Sequence, residues 1–275
     1  MKKLLGLVVL SLALPCHADL QPRWEVGFGV GAVSIPDYRG AENRSGYLLP
    51  VPYFVYRGDV LQADRGGVRA ALLDRGNVQL NLSLNGSVPV SADDNPQRRG
   101  MPDLRPAVEI GPTADIRLWQ AVDRKSALSL RLPLRAAVTV ESSPRHVGWL
   151  FAPGLSFTTD APAGLRGWKL GVQGGPLYAD SDYSSYFYGV RPDQVAAGRP
   201  AYDAPGGFAG TQFTATLSRR FARYWIGGFL RHDSLRGAAF RDSPLVRQRD
   251  GVSVGLAVAW IFGASSELVD AGRDR

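Results

Sequence analysis

Cysteine is nearly absent from this chain: the one residue, Cys16, sits in an N-terminal stretch with the marks of a removable leader. Met1-Lys2-Lys3 supplies a basic start, residues 4–14 a short apolar core, and Ala18 a small residue before Asp19. A secretory signal peptide over 1–18, cleaved after Ala18, is expected from that pattern. Pro15 stands where a lipoprotein would carry a small residue before its acylated cysteine, which favours a cleaved leader. The mature chain then has no cysteine, which excludes disulfides, zinc–thiolate sites and thiol catalysis. Neither a cofactor nor a metal site is expected. Lysine is also scarce, with only Lys125 and Lys169 beyond the leader, so arginine carries the positive balance. Basic runs do not exceed pairs such as Arg98-Arg99 and Arg219-Arg220. An exported chain of this kind is expected to meet no nucleic acid; its arginines suit outer-membrane lipid headgroups and the sugar phosphates of lipopolysaccharide. Long hydrophobic runs are missing too, since a membrane-spanning helix needs roughly 20 apolar residues.

What the chain has is alternation. In "NVQLNLSLNGSVPV" (77–90), Val78, Leu80, Leu82, Leu84, Val88 and Val90 fall on one side of an extended chain. Gln79, Asn81, Ser83, Asn85 and Ser87 fall on the other. The pattern recurs at 107–119, 128–141, 147–159 (Val147, Trp149, Phe151, Leu155 and Phe157 on one face) and 252–262, and more weakly at 24–34, 168–178 and 211–232. Period two held over ten or more residues exceeds the usual strand of a soluble sheet and matches strands that cross a bilayer. Aromatics stand near the strand ends: Trp24, Trp149, Phe151, Phe157, Trp168, Tyr178, Trp260 and Phe262. Those positions suit the girdles of an outer-membrane barrel, so the leucines are expected to face lipid and the amides the lumen, rather than the reverse arrangement of a soluble periplasmic sandwich.

An open sheet edge in hydrocarbon leaves a row of backbone groups unpaired, so the sheet must close. The expected fold is all-β: a transmembrane antiparallel up-and-down β-barrel of the bacterial outer membrane over 19–262. Twelve strands are expected, ten being the alternative, with both termini periplasmic. Connections counted back from the last strand alternate long (234–250), short (219–222), long (179–207), short (160–166), medium (141–147), short (120–126), long (91–104) and short (74–77). Only 47–73 breaks the alternation, with Gly66-Gly67 as the turn that divides it. Residues 263–275 are read as a polar, disordered periplasmic tail.

Six ordered blocks carry a family resemblance: "PVPYFVYRGD" (50–59), "RRGMPDLRPAVEIGP" (98–112), "LPLRAAV" (132–138), "YSSYFYGV" (183–190), "PAYDAPGGFAG" (200–210) and "GAAFRDSPLV" (237–246). Together they resemble the MipA/OmpV family, the MltA-interacting outer-membrane proteins of Gram-negative bacteria. The resemblance implies the cell outer membrane and a scaffold that links a murein lytic transglycosylase to a bifunctional penicillin-binding protein in cell-wall growth. Other members are described as adhesins or as surface proteins affecting antibiotic uptake. Trp260 and Phe262 resemble the terminal aromatic signal read by the barrel assembly machinery, but here 13 residues follow it.

Several candidate sites follow. Glu109, Asp115, Arg117, Arg131 and Arg135 are expected as lumen charges, forming either a selectivity filter or a cross-strand network that fills a narrow barrel. Arg98, Arg99, Met101, Pro102 and Asp103 lie in an extracellular loop; they either gate the lumen, with Asp103 pairing an arginine, or merely shape the loop, while 93–95 make turn hydrogen bonds. Tyr183, Tyr186, Phe187, Tyr188 and Tyr202 either recognise a partner or sugar, or pack the longest loop on itself. His232 and Ser234, two apart on a strand, have the arrangement of a lipid A deacylase, with a carboxylate as orienter. Against that hydrolase reading stand a non-enzymatic scaffold and a narrow channel.

Overall fold

Leu48 and Leu256 are 77% and 70% exposed while Glu25 and Ser253 are 0% exposed, so this fold is greasy outside and polar within. The computed structural model describes residues 20–57, 61–64, 67–70 and 73–270; the leader and Cys16 lie outside them. Its first half contains β1 (Leu20–Pro22), β2 (Trp24–Pro36), β3 (Arg44–Arg57), β4 (Leu61–Asp64), β5 (Gly67–Ala70), β6 (Leu73–Arg75), β7 (Val78–Ser87) and β8 (Ala107–Gln120). Next come β9 (Ser126–Thr139), β10 (His146–Phe151), β11 (Gly154–Asp160), β12 (Trp168–Ala179) and helix α1 (Ser181–Tyr188). The chain ends with β13 (Gly207–Arg220), β14 (Tyr224–Ser234), β15 (Asp250–Ala264) and β16 (Leu268–Asp270).

The pairing runs β5-β4-β3-β2-β15-β14-β13-β12-β10-β9-β8-β7-β6, all antiparallel, with β11 between β12 and β9. Its two ends, β5 and β6, follow one another in the chain, and β5 lies against β7, so the sheet returns on itself. β15 and β2 form the seam between the C-terminal and N-terminal strands, in register from Val254↔Ser34 to Ala264↔Glu25. Hydrocarbon enforces such closure because an unpaired backbone group there costs several kcal/mol. The paired strands β1 and β16 and the short turns 76–77, 121–125, 161–167 and 221–223 share one end, which makes it periplasmic. The longer connections 88–106, 180–206 and 235–249 crowd the other, with 37–43 and 140–145.

Leu84, Val108, Ile110, Leu134, Trp149, Phe151, Leu155, Val252, Val254, Val258, Trp260 and Phe262 all point outward and are exposed. A continuous apolar surface of this extent is not tolerated in water, and its natural solvent is acyl chain. No helix among the described residues is long and apolar enough to cross a membrane; this chain crosses with strands.

Three expectations need correction. β7 stops at Ser87, so Val90 does not continue the lipid face; it bridges Leu104 and is 5% exposed in the loop core. Val147 is buried at 7% rather than facing lipid, because a bulge between His146 and Gly148 shifts the phase of β10. The tail is ordered through Asp270: β16 pairs with β1, and Glu267 accepts from Arg23 at 3.0 Å.

Candidate functional site

Four long connections fold together over the extracellular mouth around one apolar core. It contains Tyr38 and Ala41, Val90, Met101 and Leu104, Tyr188 and Val190, and Leu235, Phe240 and Leu245. Tyr188 stacks on Phe240 with ring centroids 3.9 Å apart, the tightest aromatic pair in the cap. Helix α1 forms in the longest loop because Asp180 caps it, accepting from Tyr183 N at 2.8 Å. The same carboxylate accepts from Trp149 N at 3.0 Å, which docks the helix start onto β10. Gly148 permits that docking: its φ of 128° suits glycine, and a Cβ there would strike Tyr183 and Asp180.

Two buried arginines lock the loops through carbonyls. Arg199 donates to Gln194 O at 2.9 and 2.8 Å, to Gln97 O at 2.9 Å and to Arg99 O at 3.0 Å, tying 180–206 to 88–106. Arg98 donates to Phe187 O at 3.1 Å and lies over the Tyr38 ring at 5.9 Å. Burial lowers the Arg98 pKa and pushes the Tyr38 phenol up to about 12. Burial raises the phenols of Tyr183 and Tyr188 as well. Asp103 accepts from Ala92 N at 2.9 Å and hydrogen-bonds no arginine among the described residues. Met101 is buried in the cap core, whereas Arg99 is exposed. Asn95 makes the expected turn bond, accepting from Gln97 N at 3.2 Å, and also donates to Asp37 at 2.8 Å.

The lumen wall below the cap carries ion pairs at several positions along the strands. Near the mouth, Asp233 accepts from Arg39 and Gln212, both at 2.9 Å, and pairs with Arg231 at 3.1 Å. Deeper, Glu109 accepts from Arg135 and Asn85 at 3.0 Å each and from the Tyr183 hydroxyl at 2.8 Å. That last bond joins the cap helix to the lumen wall. Asp115 accepts from Arg131 at 2.7 Å and from Asn81 at 2.8 Å, and Arg131 reaches Gln173 at 3.3 Å. At the periplasmic end, Glu25 is held by Arg220, by Arg57 at 3.6 Å and by the Tyr53 hydroxyl at 2.9 Å. Tyr53, Val55, Ala259 and Ile261 close that end with a small apolar cluster against Trp225. Each carboxylate thus has an arginine and further donors, which is what burial of charge demands.

Alternation placed Glu109, Asp115, Arg131 and Arg135 on one face, where they form two separate pairs; β8 and β9 pair Asp115 with Arg131 directly. Arg117 stays apart, beside a bulge between Arg117 and Trp119, and enters none of the ion pairs among the described residues. Glu25, Arg57, Arg220, Arg39, Asp233 and Arg199 were not singled out from sequence. Glu25 was within reach, being the one charge on the inward side of 24–34. The others need partners from distant strands or loops.

His232 and Ser234 share the outward face at the outer rim. The imidazole Nε2 lies 3.8 Å from Asp250 Oδ1, while Arg236 holds the other oxygen at 2.8 Å. Ser234 Oγ accepts from Arg236 N at 3.4 Å, and no His232–Ser234 hydrogen bond is present among the described residues. The imidazole addresses the carboxylate and not the hydroxyl.

Residues 28–262, almost the whole barrel, match the family model described as MltA-interacting protein MipA. The chain belongs to the MipA family. Outer membrane protein Omp26La of Vibrio anguillarum is 24% identical over 230 residues, which cover 76% of this chain and 76% of that protein. Among solved structures, a bacterial polysaccharide outer membrane secretin aligns with a TM-score of 0.41 at 8% identity, over 87% of this chain and 99% of its own. The toluene transporter TodX of Pseudomonas putida aligns at 0.28 and 12% identity, over 89% and 68% of the two chains. This MipA-family chain is an outer-membrane β-barrel protein, and its interior is the polar, capped lumen described above.

Proposed function

We propose that this MipA-family barrel is a non-catalytic scaffold in cell-wall growth, docking a murein lytic transglycosylase and a bifunctional penicillin-binding protein. The supporting observation is the cap: a packed loop core covers the mouth, and ion pairs anchored on Asp233, Glu109, Asp115 and Glu25 line the lumen beneath it. A packed cap over a lumen wall of paired charges favours a working role for the surface over one for conduction. The family description, which names MltA as an interacting protein, supports the transglycosylase as one partner. We take the barrel as twelve-stranded, counting β5 with β6 and β10 with β11 as one strand each. Trp260 and Phe262 are exposed at the seam strand β15 and suit recognition by the barrel assembly machinery. The test is affinity capture from solubilised envelopes. Co-purification of a lytic transglycosylase with a penicillin-binding synthase supports the scaffold, and recovery of neither overturns it.

A second reading, a narrow channel, has one observation in its favour. A cavity of about 260 Å³ inside the barrel is lined by Arg131, Arg135 and Arg231 with Asn85, Gln173 and Gln212, a setting for a small anion. Steady single-channel currents from refolded protein would favour it, and electrical silence removes it. Surface roles as an adhesin or in antibiotic uptake would use the outer cap instead. The hydrolase reading predicts that Ser234→Ala changes lipid A acylation; unchanged acylation discards it.

A further inference from the structure

The membrane-facing wall is not uniform. Strand register lines up Leu170, Leu217, Gly228, Leu256, Ala32 and Leu48 in one row across β12, β13, β14, β15, β2 and β3. Gly228, Ala32 and nearby Ala215 lack the bulk of their neighbours, so the wall is dented there between Leu217, Ile226, Leu230 and Leu256. The dent is an apolar groove of about 710 Å³, within the roughly 300–1,000 Å³ typical of sites that hold a small ligand. Leu256 leans over Gly228, its side chain within 2.6 Å of where a Cβ would stand, so the groove runs beside it along Ala215, Leu217 and Leu230.

The groove's periplasmic margin carries charge. Trp168 lines it, and the Arg219 guanidinium lies 6.0 Å from that ring and 4.6 Å from Phe221. Arg219 pairs with no carboxylate among the described residues. Neither do Arg166 and Arg223, both exposed on the two adjacent periplasmic turns. Two acids at this end of the barrel are engaged elsewhere: Asp160 with Lys169 and Asp123 with Lys125, each at 3.8 Å. Arginine beside tryptophan at the end of a membrane strand sits at headgroup depth, and a guanidinium fork matches phosphate oxygens.

We propose that this groove binds an anionic phospholipid of the periplasmic leaflet, one acyl chain lying along Ala215 and Leu256 and the phosphate held by Arg219 with Arg166 and Arg223. A second copy of the chain fits less well, since a two-fold contact across the groove would face these arginines with their own counterparts. The site depends only on the barrel sitting in a membrane, so failure to capture murein enzymes leaves it untouched.

The experiment reconstitutes the full mature protein in nanodiscs of equal phosphatidylglycerol and phosphatidylcholine, extracts it in mild detergent, and reads retained lipid by native mass spectrometry. Heat-modifiable gel migration restricts the comparison to folded barrel. The expected result is preferential retention of phosphatidylglycerol, reduced about tenfold by Arg219→Gln through loss of charge-assisted bonds. Ala215→Phe fills the groove from the lipid side and is expected to abolish retention of both lipids. An unselective wild type overturns the proposal. So does retention unchanged by either variant, or a dimer that Ala215→Phe dissociates without altering retained lipid.

Discussion

Replacing Glu109 with alanine removes the carboxylate that joins the lumen wall to the cap. Glu109 and Arg135 side chains are 8% and 11% exposed, so the substitution strands a guanidinium with little water to replace its partner. Deleting one member of a buried ion pair costs about 3–5 kcal/mol. The cavity beside Arg135 admits some hydration, which puts Glu109→Ala near the lower end, about 3 kcal/mol. Tyr183→Phe removes a single bond to the same carboxylate and is expected to cost about 1.5–3 kcal/mol. The decisive variant is Glu109→Leu combined with Arg135→Met, which removes both charges and keeps volume. Its loss is expected to be well below the sum of the separate substitutions, because neither charge is then left alone. Urea unfolding in detergent micelles, followed by tryptophan fluorescence, measures all of these. A double variant at least as destabilised as that sum would refute the idea that the pair is buried and coupled.

Three further outcomes are expected. Arg199→Met breaks the carbonyl lock between two loops, so limited proteolysis should cut within 88–106 or 180–206 at least about tenfold faster while the barrel stays folded. Phe240→Ala empties the stack against Tyr188 and should lower cap stability by about 3–5 kcal/mol, seen as faster hydrogen exchange in the loops and not in the strands. The Tyr38 phenol is raised to about 12 by burial, so the folded cap favours its neutral form. That contribution is fully present below the unfolded value of about 10 and is lost as pH rises through the folded value. Ultraviolet titration should therefore show loop exposure between those limits, and Tyr38→Phe should shift it upward.

Much of this protein is local and therefore readable in one dimension. Side chains alternate across a strand whatever its partner, so the lipid face of Leu80, Leu82 and Leu84, the lumen face of Asn81 and Ser83, and the alternation of long and short connections follow from residue order. The pairing of Asp115 with Arg131 came close behind, since the two strands are joined by a short turn whose length sets register. Bulges are less legible: nothing in His146-Val147-Gly148 announces that Val147 will turn inward, where Gly148 meets a helix from another loop.

Only the tertiary structure shows that the mouth is capped. Residues 37–43, 88–106, 180–206 and 235–249 are polar enough to be mobile rim loops by composition, yet they share a core because their sparse apolar residues meet one another. The bond from Tyr183 to Glu109 spans 74 positions, and the one from Tyr188 to Arg39 spans 149. Contacts across such distances carry no periodic signature, since each depends on where barrel closure puts the loop ends. Alternation in the chain therefore determines which side of each strand is wet; the three-dimensional fold determines that this wet interior is capped and how its charges pair.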